Sequence, residues 1–282
     1  MLVNAKEILN KAKEGKYAIP HFNINNLEWT RFILEECENN NSPVILGVSE
    51  GAAKYMGGFN VVSAMVKELD KSLNIHVPVV LHLDHGSSVE NAKKAIDNDF
   101  TSVMIDASTY DLDTNINMTK EVVEYAKKFN VTVEAEVGHI GGTEDGISAE
   151  LAYAKVEDAV RLYKETNIDF IAPALGSVHG IYKGEPRLDF NKMKQIAELT
   201  NIPLVLHGGS GIDDEKIKQA INSGICKINI NTELQIVWSN AVREFIKTNN
   251  AYDPRKIIKA GEEAMKKEIK NKIELMGSLN KA

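Results

Sequence analysis

The chain has 282 residues, 43% hydrophobic and 26% charged, the balance of a water-soluble globular protein. Its 33 basic and 40 acidic side chains give a formal net charge of −7, which argues against nucleic acid or an anionic membrane as principal partner. Two cysteines, Cys37 and Cys226, exclude a disulfide framework or a thiolate metal cluster and read as buried thiols. The N-terminal segment has no apolar stretch to act as a signal, and no run approaches the roughly 18 apolar residues of a membrane span. A cytoplasmic protein is expected.

Eight short β-type runs are predicted along the chain. The first covers 17–22 and is followed by a helical stripe of Trp29, Phe32, Ile33 and Cys37. The second, 44–48, precedes the stripe Val62, Met65, Val66 and Leu69. Runs at 77–84 and 102–105 lead to a helix carrying Met118, Val122, Tyr125 and Phe129, and then to a fifth run at 131–137. The segment 138–153, with four glycines, reads as a mobile loop. Val156, Ala159, Val160 and Tyr163 mark the next helix, before runs at 170–174 and 204–207. Ile217, Ala220 and Ile221, stopped by Gly224, precede the last run, 226–230. From Asp253 the chain reads as helical again: Asp253 caps, Pro254 fits the first turn, and Met265, Ile269, Ile273 and Met276 form a stripe to pack on the body or on a second subunit.

Most runs are rich in Val, Ile and Leu without polar alternation, as expected for strands covered on both faces. Strict strand–helix alternation implies a parallel sheet, and eight units close naturally into a (β/α)8 TIM barrel. An open doubly wound sheet is the alternative, but no glycine-rich fingerprint follows the first strand, where Ile19-Pro20-His21-Phe22-Asn23 runs on instead. A single α/β barrel domain over 1–282 is expected, with 253–282 as a C-terminal helical tail.

In such a barrel the active site lies at the C-terminal ends of the strands. Polar residues gather there: Asn23, Ser49-Glu50, Asp84-His85-Gly86, Asp106, Glu136, His179-Gly180, His207 and Asn229 to Thr232. His85, His179 and His207 follow strands three, six and seven, and three neutral imidazoles suit a catalytic zinc. Asp84 is placed to move a proton or to orient a ligand, while Asp106 and Glu136 would hold a second metal or orient the histidines. His207-Gly208-Gly209-Ser210-Gly211, leading into a helix, reads as a phosphate cradle that Gly180 and Lys183 could complete. Arg255 sits at a helix N-terminus, where the dipole disfavours a cation and an anionic partner would resolve the tension. His82 reads as a satisfied core histidine and His76 as solvated; His21 and His139 have no assigned role. Lys227 lies near the start of its strand, at the wrong end for a Schiff-base lysine.

Together, Leu83-Asp84-His85-Gly86, the Gly-Ser-Val-His-Gly run 176–180, His207 to Gly211, Asn229-Ile230-Asn231-Thr232 and Asp253-Pro254-Arg255 resemble the class II, metal-dependent fructose-1,6-bisphosphate aldolase family over essentially the whole chain. The resemblance implies that His85, His179 and His207 bind zinc, and that Asp84 handles the C4 hydroxyl proton as the C3–C4 bond breaks. It assigns to Glu144 the proton of the enediolate. Gly180, Lys183, Gly208, Gly209, Ser210, Asn229, Ile230, Asn231 and Thr232 would hold the ketose-phosphate end, Asn23 and Ser49 the sugar, and Arg255 the far phosphate, often from a neighbouring subunit. It also implies a second metal position near Asp106 and Glu136, a monovalent cation (Na+ or K+) beside the phosphate, and a homodimer or homotetramer. Many members carry Asp where this chain has Asn231, so tagatose-bisphosphate and 6-phospho-5-dehydro-2-deoxygluconate aldolases of the same family are alternatives. The stretch Gly47 to Gly51 with Tyr55 to Gly58 looks more like the glycolytic members. A metal-dependent hydrolase or a non-catalytic sugar-phosphate binder would be disfavoured by the phosphate cradle and the dense proton-transfer groups, respectively.

Overall fold

Strands and helices alternate around a central axis in the computed structural model, which describes residues 2–144, 147–182 and 184–282, with backbone alone over 143–144 and 147–149. In chain order the strands are β1 (Ile19–Asn23), β2 (Val44–Val48), β3 (Val79–Gly86), β4 (Ser102–Ile105), β5 (Thr132–Val137), β6 (Gly141–Glu144), β7 (Ile147–Ala149), β8 (Phe170–Pro173), β9 (Val178–His179), β10 (Leu204–Leu206) and β11 (Ile225–Ile230). Eight of them close a parallel barrel in the order β1-β2-β3-β4-β5-β8-β10-β11. These are the eight predicted runs, each displaced by no more than two residues at either end.

The helices are α1 (Lys6–Gly15), α2 (Leu27–Asn39), α3 (Glu50–Met56), α4 (Phe59–Ser72), α5 (Val89–Asp97), α6 (Leu112–Lys127), α7 (Val156–Thr166), α8 (Phe190–Thr200), α9 (Asp214–Asn222), α10 (Thr232–Thr248), α11 (Pro254–Lys259) and α12 (Glu262–Leu275). Asn26, Ser88, Asp111 and Asp189 accept backbone N–H bonds at the starts of α2, α5, α6 and α8, which fixes where each helix leaves its loop.

Side chains alternate along each strand, so the barrel has two cores. Val79, Leu81 and Leu83 face outward into the main core beneath the helices, while Val80 faces the axis with Ile19, Ile45, Phe170 and Val205. Ala5, Ile8, Leu9 and Ala12 of the α1 segment join this second cluster and close the N-terminal end of the barrel. Above them the axis turns polar, with His21, His82, Ser102, Glu134 and Lys227 all fully buried. The C-terminal stripe packs on the same molecule: Met265, Ile269, Ile273 and Met276 are buried in the main core as α12 lies across α2 and α10. Each such side chain contributes about 1.5–3 kcal/mol by leaving water.

One expectation needs correction. The glycine-rich 138–153 segment is not a bare loop: β6 and β7 form an antiparallel hairpin, and β6 also pairs in parallel with β9. Gly142 stands opposite His179, with φ at 102°, and a Cβ there would lie 2.2 Å from the His179 carbonyl oxygen. The glycines bring two backbones together. No helix among the described residues is long and apolar enough to cross a membrane.

Candidate active site

The C-terminal end of β3 is irregular. Its pairing with β4 shifts between Leu83 and Gly86, and His85 adopts φ 50°. A bulge of this kind re-aims a side chain. The His85 ring meets those of His179, on β9, and His207, just after β10, at centroid distances of 4.9 and 4.6 Å. One ring nitrogen from each of the three lies within 4.8 Å of the others, so the predicted trio converges. Burial, and then the neighbouring imidazoles, lower the pKa of His179 and His207, which favours the neutral, ligating form.

Carboxylates back this trio. Asp106 Oδ2 lies 3.0 Å from His85 Nδ1. Burial would raise the Asp106 pKa, but the bonds from His85 and Ser108 hold it below the usual carboxylate range. An ionised carboxylate accepts only, so His85 Nδ1 donates and Nε2 keeps its lone pair toward the other rings. Three neutral ring nitrogens with an anionic acceptor behind one of them are a donor set that fits a divalent transition ion. His85, Asp106 and Glu136 form a second such group. Burial and then the Asp106 charge push Glu136 well above its ordinary pKa, so that pair carries one charge more readily than two.

Asp84 is 1% exposed on the axial face of β3. Asn23 Nδ2 donates to its Oδ2 at 2.9 Å and Asn229 Nδ2 to its Oδ1 at 3.2 Å. His21 Nε2 lies 3.5 Å from Oδ2. Burial opposes ionisation here, yet His21, His85 and His207 hold Asp84 well below the carboxylate range. Gly47 makes room for this arrangement, since a Cβ there would lie 1.7 Å from His21 Nε2.

The glycine-rich turn after β10 is tightly fitted. Gly208 has φ 61°, and a Cβ there would lie 2.2 Å from the Val178 carbonyl oxygen. Tyr182 Oη donates to Gly208 O at 2.8 Å and accepts from Val178 N at 3.0 Å, joining this turn to the His179 segment. Ser210 Oγ accepts from Asn231 N and Glu233 N at the start of α10. Two donors expected to face an anion are engaged internally: Gly209 N with Asn229 O, and Gly211 N with Glu233 Oε1, each at 3.0 Å.

Gly180 adopts φ 85° beside His179. Ser49 caps α3, its Oγ accepting from Ala52 N. The Ile230 side chain packs in the main core, so its backbone alone is left to edge the mouth. Arg255 is 88% exposed, and its guanidinium pairs at 2.8 Å with Asp253, the cap of its own helix. The Glu144 side chain and all of Lys183 lie outside the described residues. His139 Nδ1 lies 2.7 Å from Ser108 Oγ, and His76 Nδ1 2.9 Å from Glu38 Oε1.

Lys227, near the start of β11 as expected, is wholly buried on the axis, with Nζ 2.8 Å from Glu134 Oε2. Glu134 in turn meets His207. The two-residue spacings Glu134/Glu136 and Lys227/Asn229 on inward faces carried that signal; nothing in the sequence marked Tyr182.

With this geometry in view, the comparisons are specific. Residues 3–281 match the family model described as "Fructose-bisphosphate aldolase class-II". A fructose-bisphosphate aldolase of Geobacillus stearothermophilus is 56% identical over 283 residues, 100% of this chain and 99% of that one. A 6-phospho-5-dehydro-2-deoxy-D-gluconate aldolase of Shouchella clausii is 52% identical over 98% of this chain and 94% of its own. The crystal structure of the YdjI aldolase from Escherichia coli K12 superposes with a TM-score of 0.87 at 34% identity, covering 99% of this chain and 98% of that one. A barrel mouth that gathers three histidines beside a buried aspartate, and matches of this extent, lead to one conclusion: the chain belongs to the class II fructose-bisphosphate aldolase family.

Proposed function

We propose that this chain catalyses the reversible cleavage of fructose 1,6-bisphosphate to dihydroxyacetone phosphate and glyceraldehyde 3-phosphate, a step of glycolysis and gluconeogenesis. The observation that carries the reading is the buried Asp84, hydrogen-bonded by Asn23 and Asn229, beside the convergent rings of His85, His179 and His207. These three histidines would hold Zn2+, which, when bound, polarises the ketose C2 carbonyl and offsets the negative charge that develops as the carbon–carbon bond breaks.

The rest is the work of the chain's own groups. Asp84, oriented by Asn23 and Asn229, accepts the C4 hydroxyl proton while the C3–C4 bond breaks and the aldehyde forms. Glu144, carried by the hairpin paired to the His179 strand, delivers a proton to C3 of the remaining enediolate. Gly180, Lys183, Gly208, Gly209, Ser210 and residues 229–232 hold the ketose-phosphate end, with Na+ or K+ beside it. Seating that phosphate would exchange the internal bonds of Gly209 and Gly211 for bonds to the anion. Asn23 and Ser49 lie toward the sugar, and Arg255, exposed on α11, would reach the distal phosphate of a neighbouring copy in a cytoplasmic homodimer or homotetramer. Asp106 and Glu136 would form the second metal position.

A second reading within the family, 6-phospho-5-dehydro-2-deoxygluconate as substrate, is favoured by the close Shouchella clausii relative and by Asn231. One assay separates them: fructose 1,6-bisphosphate, tagatose 1,6-bisphosphate and the deoxygluconate phosphate side by side, with zinc present and after chelation. Rapid zinc-dependent cleavage of the fructose ester alone is expected. Activity surviving complete metal removal, or substrate trapped on a lysine by borohydride, would overturn the mechanism; preference for another ester would overturn only the substrate.

A further inference from the structure

Glu134 and Lys227 take no part in the roles above, yet they form a fully buried ion pair at the centre of the barrel. Such a pair contributes little net stability relative to well-packed apolar side chains. Its neighbours suggest a different use. Glu134 Oε2 faces Lys227 Nζ at 2.8 Å and His82 Nε2 at 3.3 Å, while Oε1 lies 2.7 Å from His207 Nε2. With Oε2 occupied in this way, Oε1 is the oxygen turned to His207. An ionised carboxylate has no proton to give, so His207 Nε2 must donate. In a neutral ring that leaves the lone pair on Nδ1.

Asp106 imposes the complementary choice on His85, whose Nδ1 donates and whose Nε2 carries the lone pair. His85 Nε2 and His207 Nδ1 face each other 2.9 Å apart. Two acceptors so close repel, and a cation bound by both removes the conflict. We propose that Glu134, held by Lys227, is a positioning residue that fixes the His207 tautomer and so presents Nδ1 to the divalent ion. This rests on the aldolase reading, because it needs that ion at the three histidines.

Glu134→Gln keeps the shape and tests the idea. Lys227 draws the amide oxygen to itself, which turns the NH2 group to His207 and forces the proton onto Nδ1. Nitrogen-15 histidine spectra of the metal-free protein, assigned by the signals lost in His207→Asn, should show an Nε2-protonated ring in the native chain and an Nδ1-protonated ring in Glu134→Gln. Zinc affinity, measured by chelator competition, should fall roughly 10–100-fold. In Glu134→Gln/Lys227→Met the amide oxygen is released to His207, and much of that loss should be recovered; a merely structural role would predict a further loss. An Nδ1-protonated ring in the native chain, unchanged zinc affinity in Glu134→Gln, or a double variant no tighter than the single one would each overturn the proposal. Should Glu134→Gln fail to fold, the native tautomer and the double variant decide. A native chain that takes up no zinc would instead overturn the aldolase reading itself.

Discussion

His85 sits in the left-handed region at φ 50°, a conformation that costs a non-glycine residue about 1–2 kcal/mol and persists where surrounding structure enforces it. The bulge between Leu83 and Gly86 enforces it here, and the return is an imidazole aimed at His179 and His207. Among metal-free variants, His85→Gly should therefore be more stable than His85→Ala by about 1 kcal/mol in urea titrations, because glycine accepts that backbone. Equal stabilities would show that the site carries no strain. Asp84 allows a separate test. Asp84→Ala should lower kcat by about 10²–10⁴-fold while zinc content, read by atomic absorption, stays at the native level. A fully active variant would remove Asp84 from proton transfer. Lys227, buried and ion-paired, should not be trapped by borohydride in the presence of substrate.

The elements were legible in the sequence because their physics is local. Runs such as Val44 to Val48 and stripes such as Met265, Ile269 and Ile273 announce strands and a buried helix face, and the barrel follows from their alternation. The three histidines were legible as strand-end residues. What the sequence hid depends on pairing across distance. The β6–β7 hairpin is glycine-rich, and its partner strand β9 lies more than thirty residues away, so no periodicity marks it. The Glu134–Lys227 pair joins residues 93 apart, and only the closed barrel brings them together. The hairpin gives a prediction at this scale. Gly142→Ala adds a Cβ 2.2 Å from the His179 carbonyl oxygen at a backbone φ of 102°, so it should separate β6 from β9. Turnover should fall about 10–100-fold through misplacement of the hairpin, with the melting temperature lowered only slightly. Native turnover would mean that the pairing has no catalytic consequence.

Across the whole molecule, the polar layer of the axis couples stability to acidity. Burial, and then the Lys227 charge, lower the pKa of His21 to about 3 and lower that of His82 as well, from an ordinary 6.5. Below pH 6.5 the unfolded chain binds protons that the folded chain refuses, so stability falls as pH drops below that value, by up to about 1.4 kcal/mol per pH unit for His21, with His82 acting in the same direction. Urea unfolding of the metal-free protein should be about 1.4 kcal/mol less favourable to the native state at pH 5.5 than at pH 7.5 from His21 alone, and His82 should add to that loss. A flat profile would mean that both rings protonate freely in the fold. The apolar seal made by Ala5, Ile8, Leu9 and Ala12 has a consequence of another kind. With that end sealed and the axis above it packed, the site is a cul-de-sac, so substrate, both products, water and a bound metal would share a single doorway. Traffic through it is sequential: a bound ketose bars the route by which a chelator would extract the ion. Stripping of zinc should therefore slow as substrate saturates the protein, linking metal retention to metabolic supply.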